Sequence, residues 1–207
     1  MTLIIALKCQ DGLIMASDGQ ATVISSGGPV RQRIQKIFKI CDNVLFGASG
    51  GVGIIQRCRD TIAQYSDGLT QGLAPALREN IRSSLFKIMK NELERHKSFH
   101  GQPRGLQLAD ILMGIRQPHG GYKIWHIASD CSDELLDELG YGCTGIGDTF
   151  AYSYLNLYYS PDLSINLGKL VAYRVIREAI DVGAYGLGEP IDIWVMDQEK
   201  AIQLPKT

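Results

Sequence analysis

Met1-Thr2-Leu3-Ile4-Ile5-Ala6-Leu7-Lys8-Cys9-Gln10-Asp11-Gly12-Leu13-Ile14-Met15-Ala16-Ser17-Asp18 is the stretch whose reading decides the fold. Residues 3–7 are an apolar run rich in leucine and isoleucine, which suits a strand. Gln10-Asp11-Gly12 is a turn signal, because Asp-Gly tolerates the positive φ angles of a tight hairpin. Residues 13–16 form the return strand. Thr2 follows directly on Met1. Removal of Met1 is expected before so small a residue, and it leaves Thr2 with a free α-amine and a hydroxyl. One residue then carries both a nucleophile and a base. Taken alone, a threonine at this position is more often an ordinary residue, so its assignment depends on the motifs further along the chain.

Asp18 closes the return strand. Lys36 opens the next apolar segment, Lys36-Ile37-Phe38-Lys39-Ile40, and a turn at Cys41-Asp42-Asn43 comes after it. Residues 44–52 then pass from strand to helix through Gly50-Gly51. These features resemble those of proteasome β-type subunits and their bacterial HslV-like relatives. The threonine at the strand start, Asp-Gly in the first turn, Ala16-Ser-Asp-Gly-Gln-Ala-Thr22, residues 36–40 and Gly47-Ala-Ser-Gly-Gly51 stand in the family's order. Several motifs in correct sequence are far more specific than any one. The resemblance is strong over about the first 55 residues and continues more weakly to the end.

The chain has 207 residues, enough for one proteasome β-like domain spanning 1–207. A hydrophobic content of 45% with 21% charged residues suits a soluble globular protein. A formal net charge of −1 gives no basis for nucleic-acid or membrane-surface binding. No apolar run approaches bilayer-spanning length, and residues 3–7 are too short for a signal-peptide core. The five cysteines (Cys9, Cys41, Cys58, Cys131, Cys143) are odd in number and lack a Cys-x-x-Cys pair. A disulfide framework or zinc site is therefore not expected. All five read as small buried or half-buried residues in a reducing cytoplasm.

Ser25-Ser-Gly-Gly-Pro29 reads as a loop and residues 30–35 as an extended edge. A first helix spans 51–66 with Val52, Ile55, Cys58, Ile62 and Tyr65 inward, and Gly68 stops it. A second spans 73–99, its stripe made by Leu77, Ile81, Leu85, Ile88, Met89 and Leu93, with Pro75 in its first turn. His96 and His100 lie four apart, without a third metal ligand, and read as an exposed pair. Residues 101–107, with Pro103, form a loop. Strands are expected at 108–116, 121–128 and 140–145, the first two joined by Pro118-His-Gly-Gly121. A third helix covers 148–158, capped by Asp148 or Thr149. Its tyrosines suit a subunit contact or a core helix with hydroxyls reaching solvent. The fourth, capped by Ser164, runs to 182 and buries Ile165, Leu167, Leu170, Val171, Val175, Ile176 and Ala179. Final strands are at 191–196 and 201–204. Strands apolar at most positions, with helices in pairs, favour an α+β fold of two antiparallel sheets face to face between helix layers. The resemblance implies the same four-layer αββα sandwich, the N-terminal nucleophile hydrolase fold.

A threonine hydroxyl needs a base, which its own α-amine supplies. A nearby lysine keeps that amine unprotonated and lowers the hydroxyl pKa; Lys36 suits this role, oriented by Asp18. The Gly50 N–H suits an oxyanion donor, and the family has its donor at the same point. An extended peptide would add itself as a strand along Ala21 and Thr22, with Ala48 and Val52 lining a roomy apolar pocket. The resemblance further implies stacked homo-oligomeric rings, polypeptide substrates and an ATP-dependent unfoldase partner, with no cofactor, nucleic acid or membrane.

The sequence departs from the family in two places. Gly145-Ile146-Gly147 stands where active members carry a serine that supports the amine. Gly183–Pro190 lacks the family's Asp and Ser, leaving Asp181 and Glu189 as substitutes. Ile146, Ala184 and Leu187 therefore motivate an alternative, a ring subunit with weak or no activity. A third reading is an amidase acting on a non-protein amide.

Overall fold

The computed structural model describes residues 1–25, 28–102, 105–183 and 186–205. β1 (Leu3–Lys8) and β2 (Leu13–Ser17) form the expected hairpin, with Ile4 opposite Ser17 and Lys8 opposite Leu13. The Cys9 N–H donates to the Gly12 carbonyl at 2.8 Å to close the turn. β3 (Gln20–Ser25) and β4 (Gly28–Arg33) make a separate two-stranded pair. β5 (Ile37–Cys41) and β6 (Val44–Ser49) lead into α1 (Val52–Ala63), α2 (Ser66–Thr70) and α3 (Pro75–His100). Then come β7 (Asp110–Arg116), β8 (Tyr122–Ile127), β9 (Asp133–Leu135) and β10 (Tyr141–Gly145). α4 (Asp148–Tyr158), α5 (Ile165–Val182), β11 (Asp192–Met196) and β12 (Ala201–Gln203) complete the chain.

Two open antiparallel sheets result, ordered β10-β1-β2-β11-β12 and β5-β6-β7-β8-β9. Side-chain alternation assigns each face. In β1, Leu3, Ile5 and Leu7 pack outward beneath α4 and α5, while Ile4 and Ala6 point into the layer between the sheets. β6 does the same on the other side: Val44, Phe46 and Ala48 pack under α1 and α3, and Leu45 faces inward. Leu13, Met15, Leu112, Ile124, Trp194 and Met196 fill the middle layer. Each fully buried aliphatic chain stabilises the fold by about 1.5–3 kcal/mol over its exposed state. The αββα sandwich is thus the arrangement that lets two-faced apolar strands bury both sides.

The structure corrects several expectations. The first helix ends at Ala63, and Gly68 lies inside α2 rather than stopping α1. Its inner face is Ile54, Cys58 and Ile62, while Val52 is 60% exposed. The second helix starts at Pro75 instead of residue 73. α4 is capped by Gly147, which has no side chain to accept a bond, and Asp148, already inside the first turn, accepts from the neighbouring Thr149 N–H through Oδ1. Ser164 does cap α5, accepting from the Leu167 N–H at 3.4 Å. Leu167 and Leu170 are exposed; Gly168, Ala172, Val175, Ile176 and Ala179 form the buried face. β3 reaches Ser25 and β4 resumes at Gly28, so strand occupies most of the predicted loop, and residues 26–27 lie outside the described residues. Pro103 and Ala184 also lie outside them. β9 is a strand that the sequence does not announce. It pairs with β8, Trp125 opposite Leu135.

Cys9, Cys58, Cys131 and Cys143 are buried, Cys41 is half-buried, and all are free thiols. Burial pushes the Cys9 and Cys58 thiols up to about 12, which leaves them protonated and inert at neutral pH. His96, half-buried, and exposed His100 hold their rings 4.5 Å apart. No group of three metal-ligating residues occurs among the described residues. No helix among them is long and apolar enough to cross a membrane.

Candidate active site

Asp18 organises one end of the sandwich. It follows β2, is fully buried, and takes four hydrogen bonds among the described residues. Oδ1 accepts from the Lys36 Nζ at 2.6 Å and the Leu3 N–H at 2.9 Å. Oδ2 accepts from the Gln20 N–H at 3.2 Å and the Gly188 N–H at 3.3 Å. One carboxylate therefore ties together the starts of β1 and β3, the segment before β11, and Lys36. A buried carboxylate persists only with such partners.

Lys36 precedes β5 and is 4% exposed. Its Nζ also donates to the Met1 carbonyl at 3.0 Å. That carbonyl belongs to the peptide bond immediately ahead of Thr2. Burial pulls the Lys36 ammonium below the usual lysine range, and Asp18 opposes the shift. The Met1 α-amine is likewise lowered, first by burial and then by the Lys36 charge. The Lys36 charge disfavours the proton on the Met1 α-amine, and Asp18 opposes that effect.

Gly50 joins β6 to α1 at φ +127, and a Cβ there would lie 2.0 Å from the Leu108 carbonyl oxygen. Only glycine fits. The Gly51 N–H donates to the Gln107 carbonyl at 3.1 Å, whereas no such turn or loop bond to the Gly50 N–H occurs among the described residues. Gly50→Ala is expected to cost about 1–3 kcal/mol through backbone strain alone. A urea unfolding curve checks this, and an unshifted midpoint would contradict the packing.

Thr2, Ala21, Thr22, Lys36, Ala48, Gly50 and Val52 all line one cleft of about 460 Å³. The structure thus brings every predicted site residue together, Asp18 standing just behind Lys36. Ala48 forms a buried wall and Val52 the exposed lip. Sequence reasoning missed Phe38, Ile55 and Arg59 in the same wall. The Arg59 guanidinium stacks over Phe38, 4.9 Å from the ring centroid, and pairs with Asp60 at 3.0 Å. Gly145 is legible in the sequence only as part of an altered motif. Its φ is +105, and a Cβ there would meet the Thr2 carbonyl oxygen at 2.1 Å.

The two acids considered as substitutes do not enter the cleft. Asp181 and Glu189 both pair with Arg177 on the exposed surface. Ile146 is 55% exposed, and Leu187 is buried in the core under α4 and α5.

Two antiparallel sheets between helix pairs, with Thr2 leading into β1 beside a buried Lys–Asp pair, define an N-terminal nucleophile hydrolase fold. A family model described as proteasome subunit matches residues 2–196, and the chain belongs to that family. "Proteasome subunit beta" of Methanococcus aeolicus is 27% identical over 202 residues, covering 95% of this chain and 84% of the relative. "Proteasome subunit beta 2" of Nitrosopumilus maritimus is 28% identical over 200 residues, covering 96% and 87%. The protein of the same name from Thermococcus onnurineus is 27% identical over 208 residues, covering 96% and 91%.

Proposed function

We propose that the chain is a threonine-type endopeptidase of a proteasome-like ring, with Thr2 as nucleophile once Met1 is removed. The observation that carries this reading is the Lys36 Nζ, 2.6 Å from Asp18 and 3.0 Å from the carbonyl that precedes Thr2. Release of Met1 puts the new α-amine of Thr2 beside that ammonium. The amine, kept unprotonated there, accepts the Oγ1 proton as Oγ1 attacks the substrate carbonyl carbon. The Gly50 N–H stabilises the oxyanion. Collapse expels the substrate amine, which takes the proton, and leaves an ester on Thr2. Water, deprotonated by the same α-amine, hydrolyses the ester and restores the threonine.

β3 pairs with β4 alone among the described residues, so its other edge is available to an extended peptide at Ala21 and Thr22. Strand addition of this kind is sequence-tolerant, which suits unfolded polypeptides. The pocket combines Ala48, Val52, Phe38 and Ile55 with Arg59, and no acidic residue lines it among the described residues. Peptides with leucine or alanine before the cut are expected to exceed those with arginine by at least about tenfold in kcat/KM. A fluorogenic peptide panel measures this, and a preference for arginine contradicts the pocket assignment. Stacked homomeric rings, an ATP-dependent unfoldase and a cytoplasmic location belong to this reading.

A second reading is a ring subunit with weak or no activity. Exposed Ile146 in place of a supporting serine favours it, as does the engagement of Asp181 and Glu189 by Arg177. Efficient Thr2-dependent cleavage of an unfolded polypeptide excludes it.

A further inference from the structure

We infer that Ser49 and Thr144 are a positioning pair that fixes the oxyanion donor relative to the nucleophile; this rests on the peptidase reading of Thr2. Ser49 ends β6 and Thr144 lies in β10, so they come from opposite sheets. Alternation turns both side chains into the middle layer. In β6, Val44, Phe46 and Ala48 face the helices, and in β10 Tyr141 and Cys143 do. The two hydroxyls meet there at 3.0 Å, with the residues 8% and 3% exposed. The layer around them is built mostly from aliphatic and aromatic side chains such as Ile4, Met15, Leu45 and Leu112, with Ser17 and Asp192 as further buried polar residues on its faces. Such a layer resists separation of the sheets but fixes sliding poorly, because hydrophobic burial is non-directional. A hydrogen bond between two buried hydroxyls is directional, and leaving either one unpaired is unfavourable because the bare hydroxyl has lost its water.

The placement of the bond gives it a role beyond stability. Ser49 immediately precedes Gly50, whose N–H is the oxyanion donor. Thr144 immediately precedes Gly145, whose Cα packs against the Thr2 carbonyl closely enough to exclude any Cβ. Each hydroxyl is therefore one residue from a half of the site, and the bond spans the two. Neither side chain lines the cleft. They act through Gly50 and Gly145, not on substrate.

Ser49→Ala and Thr144→Val, compared with the parent on a fluorogenic peptide, test this. Each is expected to lower kcat about 10–100-fold with KM changed less than about twofold, since a misplaced donor acts on the transition state more than on binding. The double variant is expected to fall no more than about threefold below the worse single, because one bond is lost in all three. Thr144→Ser, which keeps the hydroxyl, is expected to recover most of the loss. Should Ser49→Ala not fold, Thr144→Val and Thr144→Ser carry the comparison. A lowered unfolding temperature with kcat and KM both unmoved overturns the inference while sparing the peptidase reading. A parent that cleaves nothing, or a Thr2→Ala variant that cleaves as well as the parent, overturns both.

Discussion

Thr2→Ala is expected to reduce peptide cleavage by at least about 10⁴-fold, the scale on which removing a covalent nucleophile acts. The fold gives this change little else to disturb. Thr2 is half-buried and precedes β1, and the Leu3 N–H that anchors the strand to Asp18 is a backbone group that the substitution leaves in place. Stability is therefore expected to change by no more than about 0.5 kcal/mol. Activity and denaturation curves measured on the same preparation separate the two effects. Retained cleavage with an unchanged unfolding midpoint removes Thr2 from the mechanism.

The second large effect is expected at Asp18 and Lys36, and the two positions should differ. Asp18→Ala strips the Lys36 ammonium and the Leu3, Gln20 and Gly188 N–H groups of their acceptor in one step. Breaking a buried ion pair from one side costs about 3–5 kcal/mol, enough to unfold a marginal domain. Lys36→Met keeps the side-chain bulk and leaves Asp18 its three backbone donors, so it should destabilise less. Its cost is expected to fall on the chemistry, because the Thr2 α-amine would no longer be kept unprotonated, and general-base catalysis is worth about 10²–10⁴-fold. Urea midpoints ranked parent, Lys36→Met, Asp18→Ala, together with near-complete inactivity of Lys36→Met, fit the arrangement. A Lys36→Met chain that cleaves like the parent contradicts it.

How much can be read from the sequence depends on how local each signal is. The β1–β2 hairpin is legible because its turn chemistry and its apolar runs lie within a few residues of one another. Thr2, Asp18, Lys36 and Gly50 are nominated by family resemblance and by residue chemistry, and the structure brings them to one end of the sandwich. The donors to Asp18 are not, since Leu3, Gln20 and Gly188 contribute backbone N–H groups that any residue except proline possesses. Nor does the sequence say why Gly50 must be glycine. The reason is the Leu108 carbonyl, brought up by a distant loop.

Helix faces fail for a related reason. Leu167 and Leu170 are apolar and fit the period, yet the buried stripe of α5 runs through Gly168 and Ala172. A Cβ at Gly168 would clash with Ile14 and with the Cys9 sulfur, so the helix closes on the sheet at its smallest residues. Counting large apolar residues cannot detect that. β9 is three residues long and reads Asp-Glu-Leu; pairing with β8, not its own propensity, makes it a strand.

The most direct measurement is the mass of the mature chain before and after treatment with an electrophile that acylates N-terminal threonine, with peptide mapping of the product. A Thr2 nucleophile predicts a chain that starts at Thr2 and gains one adduct, carried on Thr2 and absent from Thr2→Ala. Active protein that retains Met1, or an adduct on any other residue, would contradict it.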